Sequence, residues 1–182
     1  MFKRLGAFFL DVTEVVVFAI GIFFFVYLLI MRPHKIKGQS MHPTFPDGEY
    51  LLTQKVSYYT KDPQRGDVIV FKPPISEEDE FIKRIIGLPG ETISVKGGKV
   101  FINGKVLNES YLKNVYTNPG SFLSEGEEFS IPEGQYFTMG DNRPHSSDSR
   151  SWGPITKKGI SGKAWLVYWP PKSSGFVPKI NY

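Results

Sequence analysis

Residues 93–107, ISVKGGKVFINGKVL, decide the fold class. Gly97-Gly98 stands between ISV and KVF, and Asn103-Gly104 between FI and KVL. A two-residue hairpin loop that matches the twist of its strands needs positive φ at both central positions, which Gly and Asn tolerate. The stretch therefore predicts consecutive antiparallel strands. Working outward, residues 50–57, 67–71 and 81–86 are short runs rich in Val, Ile, Leu, Tyr and Phe, parted by the loop sequences KDPQRG and PPISEEDE. Residues 129–140 and 163–169 complete the strand candidates, while 111–126 shows no period and reads as a loop. The 14 Pro and 18 Gly, with no amphipathic stretch of helical length, make the soluble part mainly β. Antiparallel sheets in a barrel-like or two-sheet arrangement are expected.

The opposite character appears at the N-terminus. Residues 15–31, VVVFAIGIFFFVYLLIM, form an uncharged apolar run bounded by Glu14 and Arg32. As a helix this run would span roughly 25 Å, the short end of what crosses a hydrocarbon core of about 30 Å. It is longer than the apolar part of a cleavable signal peptide, and MRPHKIKGQ follows it with no small-x-small cleavage site. It also lacks the polar stripe of a core helix. A retained transmembrane anchor is the expectation. Lys3 and Arg4 precede the run and Arg32, Lys35 and Lys37 follow it, so charge alone leans towards a cytoplasmic C-terminal domain.

Composition removes other classes. The chain has no cysteine, which excludes disulfides, thiolate metal sites and a cysteine nucleophile. Its net charge is +4 and no basic run is long, so nucleic acid is not an expected partner.

Four segments carry candidate chemistry. In GQSMHPTF, Gly38 allows a tight backbone approach and Pro43 restricts His42, so Ser40 can present its hydroxyl together with its own amide as an oxyanion donor. In FIKRIIGLPGE, Lys83 lies inside an apolar strand, where alternation puts it on a face with Phe81 and Ile85. A solvent-facing edge lysine is the plain alternative. A buried one would lose its charge more readily. A free lysine titrates at about 10.4, and bringing it to about 7 to 8 requires roughly 3.5 to 5 kcal/mol, within reach of full burial. In GDNRPHSSDSRSWGPI, Asp141 with Arg143 and Asp148 with Arg150 are candidate pairs, and Ser146 or Ser147 could orient a neutral lysine. RGDVIVFK reads as a turn entering a buried strand. A Ser–His–Asp mechanism competes, with His145 near Asp148 as its candidate base.

These four segments, in this order behind an apolar span, resemble the conserved boxes of type I signal peptidases. The likeness is sharpest in SMHPT, RGDVIVF, FIKRIIGLPGE and GDNRPHSSDSR. It implies a membrane-bound serine endopeptidase that removes signal peptides from exported preproteins after a small-x-small motif, with no cofactor or metal. By that resemblance Ser40 is the nucleophile, Lys83 the general base and Ser146 the lysine-orienting hydroxyl. Asp148 and Arg150 brace the loop, and Asp141 pairs with Arg84. Ile36 and Ile82 are implied to line the shallow substrate pockets. Some members carry a serine two residues before the nucleophile to complete the oxyanion hole. Gly38 cannot do so, which leaves the second donor open. The implied organisation is a short cytoplasmic segment (1–14), a transmembrane anchor (15–31) and an extracytoplasmic β catalytic domain (32–182). The implied partners are preproteins, the lipid bilayer and, by proximity, the Sec export machinery. Two alternatives remain: a specialised Ser–Lys processing peptidase of the pilin or conjugation type, and an inactive membrane-tethered binding module.

Overall fold

The computed structural model describes residues 2–76, 78–113, 115–180 and 182, so Met1 of the expected N-terminal segment lies outside the described residues. The chain divides into two compact units, Met1–Arg32 and Pro33–Tyr182.

The first unit is dominated by one helix, α1 (Phe2–Ile30). It starts well before the apolar run at 15–31 because residues 6–14 contain no proline and supply further apolar side chains, among them Phe8, Phe9, Leu10 and Val12, all exposed. Within it, Gly6–Tyr27 has a mean hydropathy of 2.3 and contains no buried residue. The helix is thus long and apolar enough to cross a membrane.

After α1 the chain builds two sheets. The larger takes in β1 (Met31–Lys35), β2 (Tyr50–Gln54), β3 (Val68–Phe71) and β4 (Phe81–Gly87). The smaller comprises β5 (Thr92–Lys96), β6 (Lys99–Ile102), β7 (Lys105–Val106) and β8 (Glu128–Ser130). The chain then returns to the larger sheet with β9 (Gln135–Met139), β10 (Ile155–Thr156), β11 (Ile160–Trp169) and β12 (Gly175–Phe176). The larger sheet runs β1-β2-β11-β3-β4-β9-β10, with β12 on β11, and the smaller runs β7-β6-β5-β8. β3·β4, β4·β9, β2·β11 and β5·β6 are all antiparallel.

Both sequence-predicted hairpins form. Gly97 and Gly98 close β5 to β6, Asn103 and Gly104 close β6 to β7, and all four have positive φ. Two extended runs are shorter than their sequence suggests. Residues 50–57 end as a strand at Gln54 and continue into a one-turn helix, α2 (Ser57–Thr60). Residues 129–140 split into β8 and β9 because Pro132 and Gly134 turn the chain between them.

Three apolar clusters hold the unit. Ile86, Phe137 and Met139 of the larger sheet pack with Ile93, Val95, Val100 and Ile102 of the smaller. Ile36, Met41, Phe45, Leu51, Val68 and Val70 form a second cluster, with Ile82 against it. Ile69, Phe71, Ile85 and Tyr136 anchor the third. β4 contributes to all three, so its side chains are fixed from several directions.

Candidate active site

Ser40 occupies a turn after β1. Gly38 adopts φ +86°, a left-handed conformation that disfavours other residues, and its N–H donates to Asp47 Oδ1 at 2.8 Å. Met41 and Phe45, just past the serine, are each 1% exposed, and the Phe45 N–H donates to Met41 O at 2.9 Å. The hydroxyl is therefore displayed from a short loop tied to the second cluster.

Lys83 approaches from β4, where it stands opposite Ile69. It is 4% exposed. Its Nζ lies 2.8 Å from Ser40 Oγ and 3.0 Å from the Ile82 carbonyl oxygen, and 5.1 Å from the centre of the Phe81 ring. Burial among these groups lowers its pKa from the ordinary 10.5 to about 8, against an opposing pull from Asp148 and then Asp141. The edge-lysine alternative does not hold, because β4 lies between β3 and β9.

Each of those carboxylates has its own arginine. Arg84 is wholly buried, donating Nε to Asp141 Oδ1 at 2.9 Å, Nη2 to Asp141 Oδ2 at 2.6 Å and Nη1 to Gly66 O at 2.9 Å. Asp148 accepts from the Gly140 N–H at 3.0 Å and from Arg150 Nε and Nη2 at 2.8 Å each. It also caps a short helix, α3 (Ser149–Trp152), by accepting from the Arg150 N–H.

The expected pairs Arg84–Asp141 and Asp148–Arg150 thus form, but Asp141–Arg143 does not. The β4·β9 register sets Arg84 opposite Met139, bringing the guanidinium to Asp141, whose two oxygens it takes. Arg143 turns instead to Glu109, meeting both of its carboxylate oxygens, and to Thr117 Oγ1 at 2.8 Å. Ser146, expected to orient the lysine, has a buried Oγ that makes no hydrogen bond among the described residues. The second acceptor at Lys83 Nζ is the Ile82 carbonyl.

A cleft of about 570 Å³ opens over Ser40 and Lys83, walled by Ile36, Leu51, Val70 and Ile82, with His145 and Ser147 also lining it. Ile36 is buried and Ile82 half-buried. Neither His42 nor His145 makes a side-chain hydrogen bond to Ser40 among the described residues. Sequence reasoning missed Asn142, whose N–H donates to Ser40 O and whose Nδ2 donates to Gln39 O, each at 3.0 Å. It also missed Glu109, Tyr111 and Thr117, which sit in or beside the stretch that shows no period.

Comparison with known proteins shows the family of the chain. Residues 9–169 match the family model described as signal peptidase, peptidase S26. A probable signal peptidase I-2 from Synechocystis is 37% identical over 167 residues, covering 89% of this chain and 72% of its own. Signal peptidase I P from Bacillus subtilis subsp. natto is 35% identical over 173 residues, covering 92% and 93%. A crystal structure of signal peptidase I from Enterococcus faecalis V583 aligns at 35% identity and a TM-score of 0.47, covering 57% of this chain and 97% of that one. With the family model spanning residues 9–169 and relatives of 35% and 37% identity covering 92% and 89% of it, the chain belongs to the signal peptidase family, peptidase S26.

Proposed function

We propose that this chain is a membrane-anchored signal peptidase in which Ser40 is the nucleophile and Lys83 the general base. As a member of its family it is a serine endopeptidase that removes signal peptides from preproteins. The observation that carries the residue assignment is the 2.8 Å contact between Lys83 Nζ and Ser40 Oγ in a buried setting.

Neutral Lys83 takes the hydroxyl proton as Ser40 Oγ bonds to the scissile carbonyl carbon, whose π electrons move to oxygen. The Ser40 amide stabilises that oxyanion. The new ammonium then protonates the departing amine, leaving an ester that water hydrolyses with Lys83 again as base. Ser146 is the hydroxyl available to hold the neutral amine, since its buried Oγ has no hydrogen-bond partner among the described residues. Asp148 and Arg150, with Asp141 and Arg84, keep the loop rigid while cancelling charge that would otherwise keep Lys83 protonated. The apolar walls given by Ile36 and Ile82 suit small side chains, consistent with cleavage after a small-x-small motif.

Incubating a precursor bearing an Ala-x-Ala site with wild type, Ser40→Ala and Lys83→Ala in detergent tests this reading. Cleavage after the motif by wild type alone is expected. Activity retained in Ser40→Ala overturns the nucleophile, and an intact precursor with wild type favours a binding module. In the cell, α1 is the single-pass anchor, with 32–182 on the extracytoplasmic side, at the lipid bilayer and near the Sec machinery that delivers preproteins. Protease added outside spheroplasts then digests the 32–182 domain, and a protected domain contradicts this side.

A further inference from the structure

The loop that carries Ser146 is held by a third charge pair, Arg143–Glu109, that the dyad chemistry does not require. Arg143 is 1% exposed, and each of its five N–H groups has an acceptor. Nε donates to Gly140 O at 3.1 Å, Nη1 to Glu109 Oε2 at 3.0 Å and to Thr117 Oγ1 at 2.8 Å, and Nη2 to Tyr111 OH at 3.3 Å and to Glu109 Oε1. Glu109 is thus the counter-charge of a guanidinium that has no access to water. Its side chain is only 11% exposed.

The position of Arg143 matters because of its neighbours. Asn142 holds the carbonyls of Ser40 and Gln39, fixing the nucleophile's own backbone. The Arg143 carbonyl accepts from Arg150 Nη2 at 2.8 Å, which ties the turn to the Asp148 pair. The Glu109 segment reaches the other charge pair too, since Tyr111 covers the Arg84 guanidinium at 4.7 Å.

We propose that Glu109 is a positioning residue: by anchoring Arg143 it holds the 140–146 turn, and through Asn142 it sets where Ser40 Oγ meets Lys83. This rests on the reading of Ser40 as nucleophile. Removing one partner of a buried pair strands the other charge, and the turn then relaxes to hydrate it. Loss of near-attack geometry slows the chemical step more than it weakens binding.

The test compares Glu109→Gln with Glu91→Gln, which breaks the half-buried Arg65–Glu91 pair elsewhere in the unit. At a temperature where each is folded, Glu109→Gln should lower kcat about 10- to 100-fold with KM within about 3-fold. Glu91→Gln should shift Tm while leaving kcat at the wild-type level. Adding Arg143→Met to Glu109→Gln should lower kcat no further, since the pair acts as a unit. If Glu109→Gln does not fold, Tyr111→Phe, which deletes one Arg143 acceptor, should still lower kcat about 2- to 5-fold. Wild-type kcat in whichever of these folds, or losses that multiply in the double variant, would overturn the proposal. Ser40→Ala run alongside separates the two readings. An inactive Ser40→Ala beside a fully active Glu109→Gln removes only the positioning role. An active Ser40→Ala removes the nucleophile assignment itself.

Discussion

Replacing Lys83 with Met should abolish cleavage and yet stabilise the protein at neutral pH. The structure supplies the size of the effect. The folded pKa of about 8 lies below the unfolded 10.5, so near neutrality the unfolded chain holds its proton more tightly than the folded one. The buried charge therefore costs about 3 kcal/mol at pH 7, on the scale of 1.36 kcal/mol per pKa unit. That cost fades as pH rises from 8 and is nearly gone at the unfolded pKa. Met fills a similar volume without the charge but gives up the bonds to Ser40 Oγ and Ile82 O, each worth about 1 kcal/mol. The net is a gain of about 1–2 kcal/mol at pH 7 and a loss of similar size near pH 10.5. Between those pH values, the difference in Tm between Lys83→Met and wild type should swing by about 6–12 °C. Differential scanning calorimetry at a series of pH values in one detergent measures it. A Lys83→Met protein that is less stable than wild type at pH 7, or whose difference from wild type is flat with pH, would mean that Lys83 carries no buried-charge cost.

Two further outcomes follow from the site. A Cβ added at Gly140 would collide with Ser146 Oγ and the Ser40 carbonyl oxygen, so Gly140→Ala should lower kcat at least about 100-fold by parting the loop from the nucleophile, in a steady-state precursor assay. Full activity in that variant would mean the loop can shift freely. His145→Ala should retain kcat within about 5-fold, because the imidazole lines the cleft but makes no hydrogen bond to Ser40 among the described residues. Complete loss of activity there, with the fold intact by circular dichroism, would restore the histidine-base alternative.

Much of the framework was legible in the sequence because its causes are local. The Gly97-Gly98 and Asn103-Gly104 turns follow from the φ each position needs, and Asp148–Arg150 lies within one turn of chain. The burial of Lys83 could be anticipated from the apolar residues around it. Arg143 shows the limit. Asp141 looked like its partner at two residues' distance, but strand register gave Asp141 to Arg84, while Glu109 reached Arg143 from 34 residues away. No local pattern encodes such a meeting, since Glu109 sits just before the aperiodic 111–126 stretch, whose placement depends on tertiary contacts. The helix α1 extends beyond the uncharged run at 15–31 for another reason. The charged residues Asp11 and Glu14 end an uncharged run but do not end a helix, and the chain stays helical from Phe2.

In the proposed mechanism buried Lys83 does the work a histidine does in other serine peptidases. The pH dependence of kcat/KM for wild type on one precursor tests it most directly, because the ascending limb reports the free enzyme's base. With a folded pKa of about 8 for Lys83, the limb should bend near pH 8, with ~10% of the maximal rate at pH 7. A limb bending near 10.5 would mean a solvated lysine, and one bending near 6.5 would mean a histidine. Either would exclude buried Lys83 as the base.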